Sequence, residues 1–138
     1  MTPTTRLRVL ITVLGLDQHE AGALAVSRLL RDGGAEVIYA GRFQLPETIA
    51  TTAIDEDVDV VGISAHSWEV LHYAEELALR LGQADPPIPI VVGGSVITAA
   101  DQVEILSKGI DATVLPTAPE EEIIATFYRL AEARRPRL

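Results

Sequence analysis

Residues 7–30 read LRVLITVLGLDQHEAGALAVSRLL, an apolar run joined to an alanine-rich stretch by a short polar segment. The first part, Leu7–Leu14, is aliphatic and partly β-branched, which is typical of a buried strand. The last part, Gly22–Leu30, is typical of a helix. A loop that leads from a strand into a helix lies at the carboxyl edge of a sheet, where open α/β folds bind their ligands. Residues 17–20 are therefore candidates for a functional site.

The same alternation of apolar run and amphipathic stretch occurs five times along the chain. The strand candidates are Leu7–Val13, Glu36–Tyr39, Val58–Ser64, Ile88–Val92 and Thr113–Leu115, and the helix candidates lie near 20–32, 46–56, 68–81, 99–108 and 119–133. Several strand candidates are apolar on both faces, which favours a parallel sheet covered by helices on each side. The sequence therefore predicts one α/β domain over residues 1–138, a doubly wound, flavodoxin-like (βα)5 sheet with strand order 2-1-3-4-5.

In this strand order the loops after strands 1, 3 and 4 meet at one crevice. The first loop contributes Asp17 and His19, the second begins at Ser64, and strand 4 ends in Gly93-Gly94. A carboxylate near a histidine can accept a hydrogen bond from one ring nitrogen and leave the other nitrogen free to bind a metal. A glycine pair lets a ligand approach the backbone closely. The three loops together predict a ligand site in which His19 is the candidate metal ligand.

Each of these features also has a purely structural interpretation. Asp17 can cap the helix that follows it, and Ser64 can cap the end of a strand. His66 falls in the same crevice and is interpreted either as a ligand contact or as a solvated loop residue. His72 lies within a helical stretch and is expected at the surface. Trp68, the single tryptophan, is expected to pack in the core or at the rim of the crevice, with stacking on a ligand as the alternative.

The composition argues against several classes of function. The chain has no cysteine, which excludes disulfides, thiolate nucleophiles and cysteine-based metal centres and fits a cytoplasmic location. A formal net charge of −9 and an aromatic content of 4% do not suit a nucleic-acid binder. No stretch has the length and purity of a membrane span, and no signal-peptide core is present at the N-terminus. The basic segment Arg134-Arg135-Pro136-Arg137 is expected to be a solvated helix end.

Nucleotide phosphate binding is not predicted, because the loop after the first strand lacks the G-x-G-x-x-G fingerprint and the chain lacks a Walker lysine. Instead, the chain from Arg8 to about Ile124 resembles the cobalamin-binding domain of adenosylcobalamin-dependent acyl-CoA mutases such as methylmalonyl-CoA mutase. The segments that carry the resemblance are Gly15–Gly22, Leu30–Tyr39, Ala53–Ser64 and Val91–Gly94.

In that family the histidine of the Asp-x-His-x-x-Gly motif displaces the cofactor's own base from cobalt, and the freed nucleotide tail threads into the domain. The resemblance implies that His19 is the lower cobalt ligand and Asp17 its hydrogen-bond partner. It also implies that Gly22 allows close approach of the tail and that Ser64 meets the benzimidazole. The residues expected to bind the cofactor are Asp17, Gln18, His19, Glu20, Gly22, Ser64, His66, Gly93 and Gly94, with His19 also the metal ligand.

The chain departs from the family pattern at several positions. Val13 stands where the acyl-CoA mutases usually carry a lysine, so the relay that tunes the histidine lacks its cationic end. His66 replaces the leucine of Ser-x-Leu, and Trp68 and Glu69 replace small residues that follow it. These changes predict a reshaped tail pocket or a reshaped surface toward a partner.

The resemblance implies an isomerase subunit that holds adenosylcobalamin and works with a separate large subunit, which the family supplies as a TIM barrel. The acyl-CoA substrate is then expected at the interface between the two. Radical chemistry requires an enclosed site that excludes water. The chain alone is therefore expected to be inactive, and none of its residues is assigned to catalysis.

Two other functions share this fold pattern. One is a non-catalytic corrinoid carrier or cobalamin sensor; carriers of this type generally add a helical segment before the domain, whereas Met1–Thr5 alone precede the first strand here. The other is a receiver-like signalling domain, which requires an aspartate at the end of strand 3, where this chain has Ser64.

Overall fold

The computed structural model describes residues 6–15, 20–65, 67–94, 98–115 and 117–136. Strands and helices alternate along these residues, as the alternating apolar and amphipathic stretches predict. The elements are β1 (Arg8–Leu14), α1 (Ala21–Asp32), β2 (Glu36–Gln44), α2 (Pro46–Asp55), β3 (Val60–Ser64), α3 (Ser67–Gly82), β4 (Ile90–Gly93), α4 (Ala99–Ser107), β5 (Ala112–Val114) and α5 (Glu120–Arg134). Apart from β2, the predicted bounds are confirmed to within two residues.

The five strands form one parallel sheet in the order β2-β1-β3-β4-β5, which confirms the predicted flavodoxin-like topology. At the carboxyl end of the sheet, Val13 pairs with Ser64, Ser64 with Gly93, and Gly93 with Val114. This register brings the loops after β1, β3 and β4 to one edge, as expected from the strand order.

The sheet is buried on both faces by two apolar cores. In β1, Leu10 and Leu14 pack in the core that contains α2, α3 and α4, while Val9, Ile11 and Val13 pack in the core that contains α1 and α5. Because successive side chains of a strand point to opposite faces, a strand buried on both sides reads as a continuous apolar run.

Strand β2 is longer than predicted and ends at Gln44 instead of Tyr39. Its pairing with β1 passes from Tyr39 directly to Gly41, so Ala40 is an extra residue in β2, and a second irregularity follows before Gln44. The Thr12 hydroxyl donates a hydrogen bond to the Gly41 carbonyl at 3.1 Å. These bulges break the regular alternation from which a strand is recognised in sequence.

The basic C-terminal segment is not simply solvated, so that expectation is wrong for Arg134. This half-buried side chain donates hydrogen bonds to the Val58 carbonyl at 3.0 Å and to the Pro86 carbonyl at 3.0 and 3.1 Å. Its neighbour Arg135 pairs with Asp57. The end of α5 is thereby tied to the amino edge of the sheet.

No helix among the described residues is both long enough and apolar enough to cross a membrane.

Candidate functional site

A cavity of about 350 Å³ opens at the carboxyl edge of the sheet, on the face that α1 and α5 cover. Strands β1, β3, β4 and β5 form its floor and the two helices form its walls. The lining residues are Ile11, Gly22, Ala23, Ala25, Val26, Gly62, Ile63, Ser64, Ala65, Val91, Gly93, Gly94, Val114, Leu115, Ile123 and Phe127. All of these residues are uncharged, so the cavity suits a slender and mostly apolar group.

Two glycines shape this cavity in different ways. A Cβ added at Gly22, in the first turn of α1, would meet no atom within 4 Å and would project into empty space. A Cβ at Gly62, within β3, would lie 2.6 Å from Ile11 Cδ1 and 2.8 Å from Phe127 Cζ. Gly62 therefore lets Ile11 and Phe127 close the inner end of the cavity, and Gly22 leaves its helical wall thin.

Four of the residues predicted to bind cofactor, Gly22, Ser64, Gly93 and Gly94, lie together on this cavity. Ser64 is the half-buried last residue of β3. Its neighbour Ala65 donates a backbone hydrogen bond to the Gly93 carbonyl at 3.1 Å, which joins the ends of β3 and β4. The crevice deduced from the strand order is thus a depression in the surface. The four predicted residues contribute three glycines and one hydroxyl group to its lining.

Four other predicted residues, Asp17, Gln18, His19 and His66, lie outside the described residues. The last described residue before the Asp-x-His motif, Gly15, donates a backbone hydrogen bond to the Gln44 carbonyl at 2.8 Å. The N-cap position of α1 belongs to Glu20, whereas the structural interpretation of the motif gave that role to Asp17.

The side chain of Glu20 does not cap α1 but turns toward β2. Its carboxylate accepts a hydrogen bond from the Tyr39 hydroxyl, and its Oε1 lies 3.4 Å from Arg42 Nε. Burial raises the pKa of Tyr39 to about 12, with a further contribution from the hydrogen bond to Glu20. The Tyr39 hydroxyl therefore keeps its proton and remains a donor at neutral pH.

A buried carboxylate approaches Gly15, which precedes the Asp-x-His motif in the sequence. Glu69, in the first turn of α3, is 2% exposed, and its carboxylate packs against Gly15. A Cβ at Gly15 would collide with this carboxylate, whose Cδ lies 2.9 Å from that position, and Gly15 has a φ of +64°. Only glycine combines that backbone conformation with the close approach of Glu69.

Sequence reasoning did not identify the apolar walls of the cavity, Gly62, Ile123 and Phe127. A glycine inside a strand often marks a close approach, and that signal was present at Gly62. Trp68 is 62% exposed, which excludes the core, one of the two places expected for its side chain. His72 is exposed, as predicted.

Comparison with known proteins gives the family. Residues 7–125 match the B12 binding domain. The chain therefore belongs to the family of B12-binding domains. It is 37% identical over 130 residues to the 2-hydroxyisobutanoyl-CoA mutase small subunit of Aquincola tertiaricarbonis, covering 94% of this chain and 96% of that protein. It is 34% identical over 132 residues to the pivalyl-CoA mutase small subunit of Xanthobacter autotrophicus, covering 96% of this chain and 88% of that protein.

The fold also matches a solved structure of a cobalamin-binding protein from Desulfitobacterium hafniense. The TM-score is 0.75 over 91% of this chain and 59% of that one, at 16% sequence identity. At this level of identity the match supports the fold and not the function.

Proposed function

We propose that this chain is the small subunit of an adenosylcobalamin-dependent acyl-CoA mutase, an isomerase that rearranges the carbon skeleton of an acyl-CoA thioester. The main observation in support of this proposal is the uncharged cavity at the carboxyl edge, which is lined by four of the predicted cofactor-binding residues. Near full-length similarity to two mutase small subunits supports the same function. When bound, adenosylcobalamin supplies a carbon–cobalt bond that breaks to start radical chemistry, and the chain holds and orients it.

The cavity takes the nucleotide tail of the cofactor in this proposal. The benzimidazole at the end of the tail is flat and mostly apolar, which suits the aliphatic and aromatic walls that Ile11, Ile123 and Phe127 provide. Ser64 offers a hydroxyl near the mouth, and Gly93 lets the tail run close to the backbone. A Cβ at Gly93 would be 3.6 Å from the Val114 carbonyl oxygen, so the channel is narrow there.

His19 is the lower cobalt ligand in this proposal, and Asp17 accepts a hydrogen bond from its second ring nitrogen. The support is the motif itself, together with the anchoring of Gly15 and Glu20 on either side of it. Val13, at the position where the resemblance to acyl-CoA mutases implies a lysine, is fully buried in the core with α1 and α5. In this proposal the hydrogen-bond chain that orients His19 therefore ends at Asp17.

A separate large subunit, built as a TIM barrel, covers this edge and binds the acyl-CoA at the interface. Exposed apolar side chains at the same edge support such a partner. Trp68 opens α3, Leu45 precedes α2, and Leu115 follows β5; they are 62%, 48% and 40% exposed. Exposed apolar side chains grouped at one edge are typical of a protein-docking surface.

The ligand assignment is tested with the purified chain and hydroxocobalamin. The chain has three histidines, so His19→Ala, His66→Ala and His72→Ala variants cover every candidate. After reduction to cobalt(II), a histidine nitrogen bound to the metal splits the EPR lines. We expect this splitting in the wild type to be a triplet with ordinary nitrogen and a doublet when the protein is labelled with ¹⁵N-histidine. Only His19→Ala should lose this signal and weaken binding. If His66→Ala loses it instead, or if no variant does, the assignment is wrong.

The enzymatic function is tested by reconstitution with the large subunit that co-purifies with the chain. We expect isomerisation of at least one of methylmalonyl-, isobutyryl-, 2-hydroxyisobutyryl- and pivalyl-CoA only when both subunits and adenosylcobalamin are present. Turnover by the isolated chain would contradict the subunit assignment. Tight cobalamin binding with no partner and no turnover would identify a corrinoid carrier or sensor.

A further inference from the structure

The side chain of Glu20, the N-cap residue of α1, is engaged away from its own helix. Shorter N-cap side chains, those of Ser, Thr, Asp and Asn, accept hydrogen bonds from the free N–H groups of the first turn. Glu20 makes no such bond; its carboxylate instead contacts Tyr39 and Arg42 of β2. The contact joins the residue directly after His19 to a neighbouring strand.

The shape of β2 brings the two partners of Glu20 together. In a regular strand, residues 39 and 42 would point to opposite faces, because their separation is odd. The bulge at Ala40 adds one residue to β2 and returns Arg42 to the face of Tyr39. Beyond it, Phe43 adopts a φ of 64°, which a residue with a side chain rarely does, and Arg42 lies over its ring at 5.2 Å. Such departures from regular geometry are found where a strand is shaped for a site.

Strand β2 therefore contacts the described residues on both sides of segment 16–19. At the upstream end, the Gly15 N–H donates to the Gln44 carbonyl. At the downstream end, Glu20 is held by the Tyr39 hydroxyl and the Arg42 guanidinium. The exposed fractions of the Glu20 and Arg42 side chains are 31% and 41%, so solvent weakens the ion pair and the tyrosine hydrogen bond is the firmer of the two contacts.

We infer that Tyr39 and Arg42 are positioning residues for cobalamin, which fix through Glu20 the loop that carries His19. This inference rests on the proposed function, in which His19 is the cobalt ligand. A ligand held in place before binding loses less conformational freedom when the metal arrives, and its partners in the protein affect affinity even without touching the cofactor.

The alternative is that Tyr39 only ties α1 to the sheet. The chain offers a matched control for this, because Tyr128 of α5 reaches the Gly33 carbonyl, at the other end of α1, at 3.4 Å. Both Tyr39→Phe and Tyr128→Phe remove one hydroxyl that holds α1. Only Tyr39 contacts Glu20, the residue that follows His19 in the sequence.

The test compares wild type, Tyr39→Phe, Arg42→Gln and Tyr128→Phe in thermal unfolding, cobalamin titration and EPR of the cobalt(II) form. Cobinamide, which lacks the nucleotide tail, is titrated in parallel because its affinity depends on the loop and not on the cavity. We expect Tyr39→Phe to weaken binding of both corrinoids by about tenfold and to lower the fraction of histidine-ligated cobalt. Arg42→Gln should act in the same direction but less strongly, and Tyr128→Phe should change only the melting temperature.

Wild-type affinity and a wild-type EPR signal in Tyr39→Phe would overturn the inference while leaving the proposed function intact. A wild type that binds neither corrinoid would overturn both. A loss confined to cobalamin, with cobinamide binding unchanged, would place the effect in the tail cavity and also overturn the inference.

Discussion

The two ends of the sheet carry cavities of nearly equal size, about 350 Å³ at the carboxyl end and about 320 Å³ at the amino end. Their linings differ. The amino-end cavity is bounded by Pro86, Pro87 and Pro89 and by Arg134, whose guanidinium already donates to the Val58 and Pro86 carbonyls. The carboxyl-end cavity is bounded by glycines and aliphatic side chains. Size alone therefore does not identify a ligand site.

What separates the two ends is how their polar groups are used. At the amino end, charged side chains bind the backbone and one another, as in the pairs of Arg8 with Glu36 and Glu56 and of Arg135 with Asp57. At the carboxyl end, the strands stop and their loops face a space that side chains do not fill. The amino end stabilises the fold, and the carboxyl end is available for binding.

The sharpest test of this division fills each cavity with one leucine. Gly22→Leu should lower cobalamin affinity by about 100-fold, or about 2.7 kcal/mol, because the side chain occupies the space assigned to the tail. The free energy of unfolding should not fall, since a Cβ at Gly22 meets no atom and leucine favours a helix more than glycine does. Visible-absorption titration and urea denaturation measure the two effects. Cobinamide affinity should stay within about twofold of wild type.

Gly82→Leu is the matched control for this experiment. Gly82 is also helical, also lines a cavity and also has open space at its Cβ position, but it lies at the amino end. It should leave cobalamin affinity unchanged. Equal loss of affinity in the two variants, or none in Gly22→Leu, would remove the distinction between the ends.

At the amino end, Arg134→Leu should lower the free energy of unfolding by about 2 kcal/mol, because it leaves partly buried carbonyls without their donors. Cobalamin affinity should be unaffected. Arg28→Leu is the control, since the Arg28 side chain is 86% exposed and its ion pair with Asp32 is at the surface; its effect should be within about 0.5 kcal/mol. A fall in cobalamin affinity for Arg134→Leu would show that the ends are coupled.

The smallest expected effect concerns Asp57 and depends on pH. The hydrogen bond from Arg135 lowers the pKa of Asp57 below its ordinary value. The unfolded chain therefore binds a proton first as the pH falls, so the stability that Asp57 contributes is present above about pH 4 and is lost as the pH drops through the folded-state pKa. At pH 7, Asp57→Asn should cost less than about 1 kcal/mol, because the pair is exposed.

Asparagine is the suitable replacement here, because Asp57 has a φ of 51° and asparagine tolerates that conformation as well as aspartate does. Urea unfolding of both proteins between about pH 7 and pH 3 gives the difference. A difference that stays constant across this range would show that the Asp57 charge contributes nothing.

The five strands and five helices could be predicted along the chain because apolar runs and helix signals are local. The strand order, and with it the position of the crevice, was expected as the common arrangement of five such units. The extension of β2 to Gln44 could not be predicted, since Gly41 and Phe43 both have positive φ and interrupt the alternation of a strand. The pairing with Thr12 and Leu14 of β1 creates that extension, and pairing is a property of the folded sheet.

The residues of the candidate site also fall into two groups, those that the sequence could identify and those that it could not. Gly22, Ser64 and Gly93 could be found because they end strands or open helices, whose positions the topology fixes. Gly62 carried only the general signal of a glycine inside a strand, and a strand apolar on both faces does not reveal which face a given residue occupies. Phe127 lies in α5, and its place on the cavity depends on how that helix packs on the sheet. The contact of Glu20 with β2 was also missed, since it depends on a bulge.

The packing of Glu69 against Gly15 has a consequence for protein engineering. Residues 15 and 69 are far apart in sequence, yet the carboxylate of one occupies the space that a side chain at the other would need. A transplant of the loop after β1, for which cobalt binding is proposed above, must therefore bring the first turn of α3 with it. A graft limited to the Asp-x-His-x-x-Gly segment would leave out both Gly15 and the carboxylate that packs against it. Exchange of whole paired loops, rather than of motifs, is the route that this geometry favours.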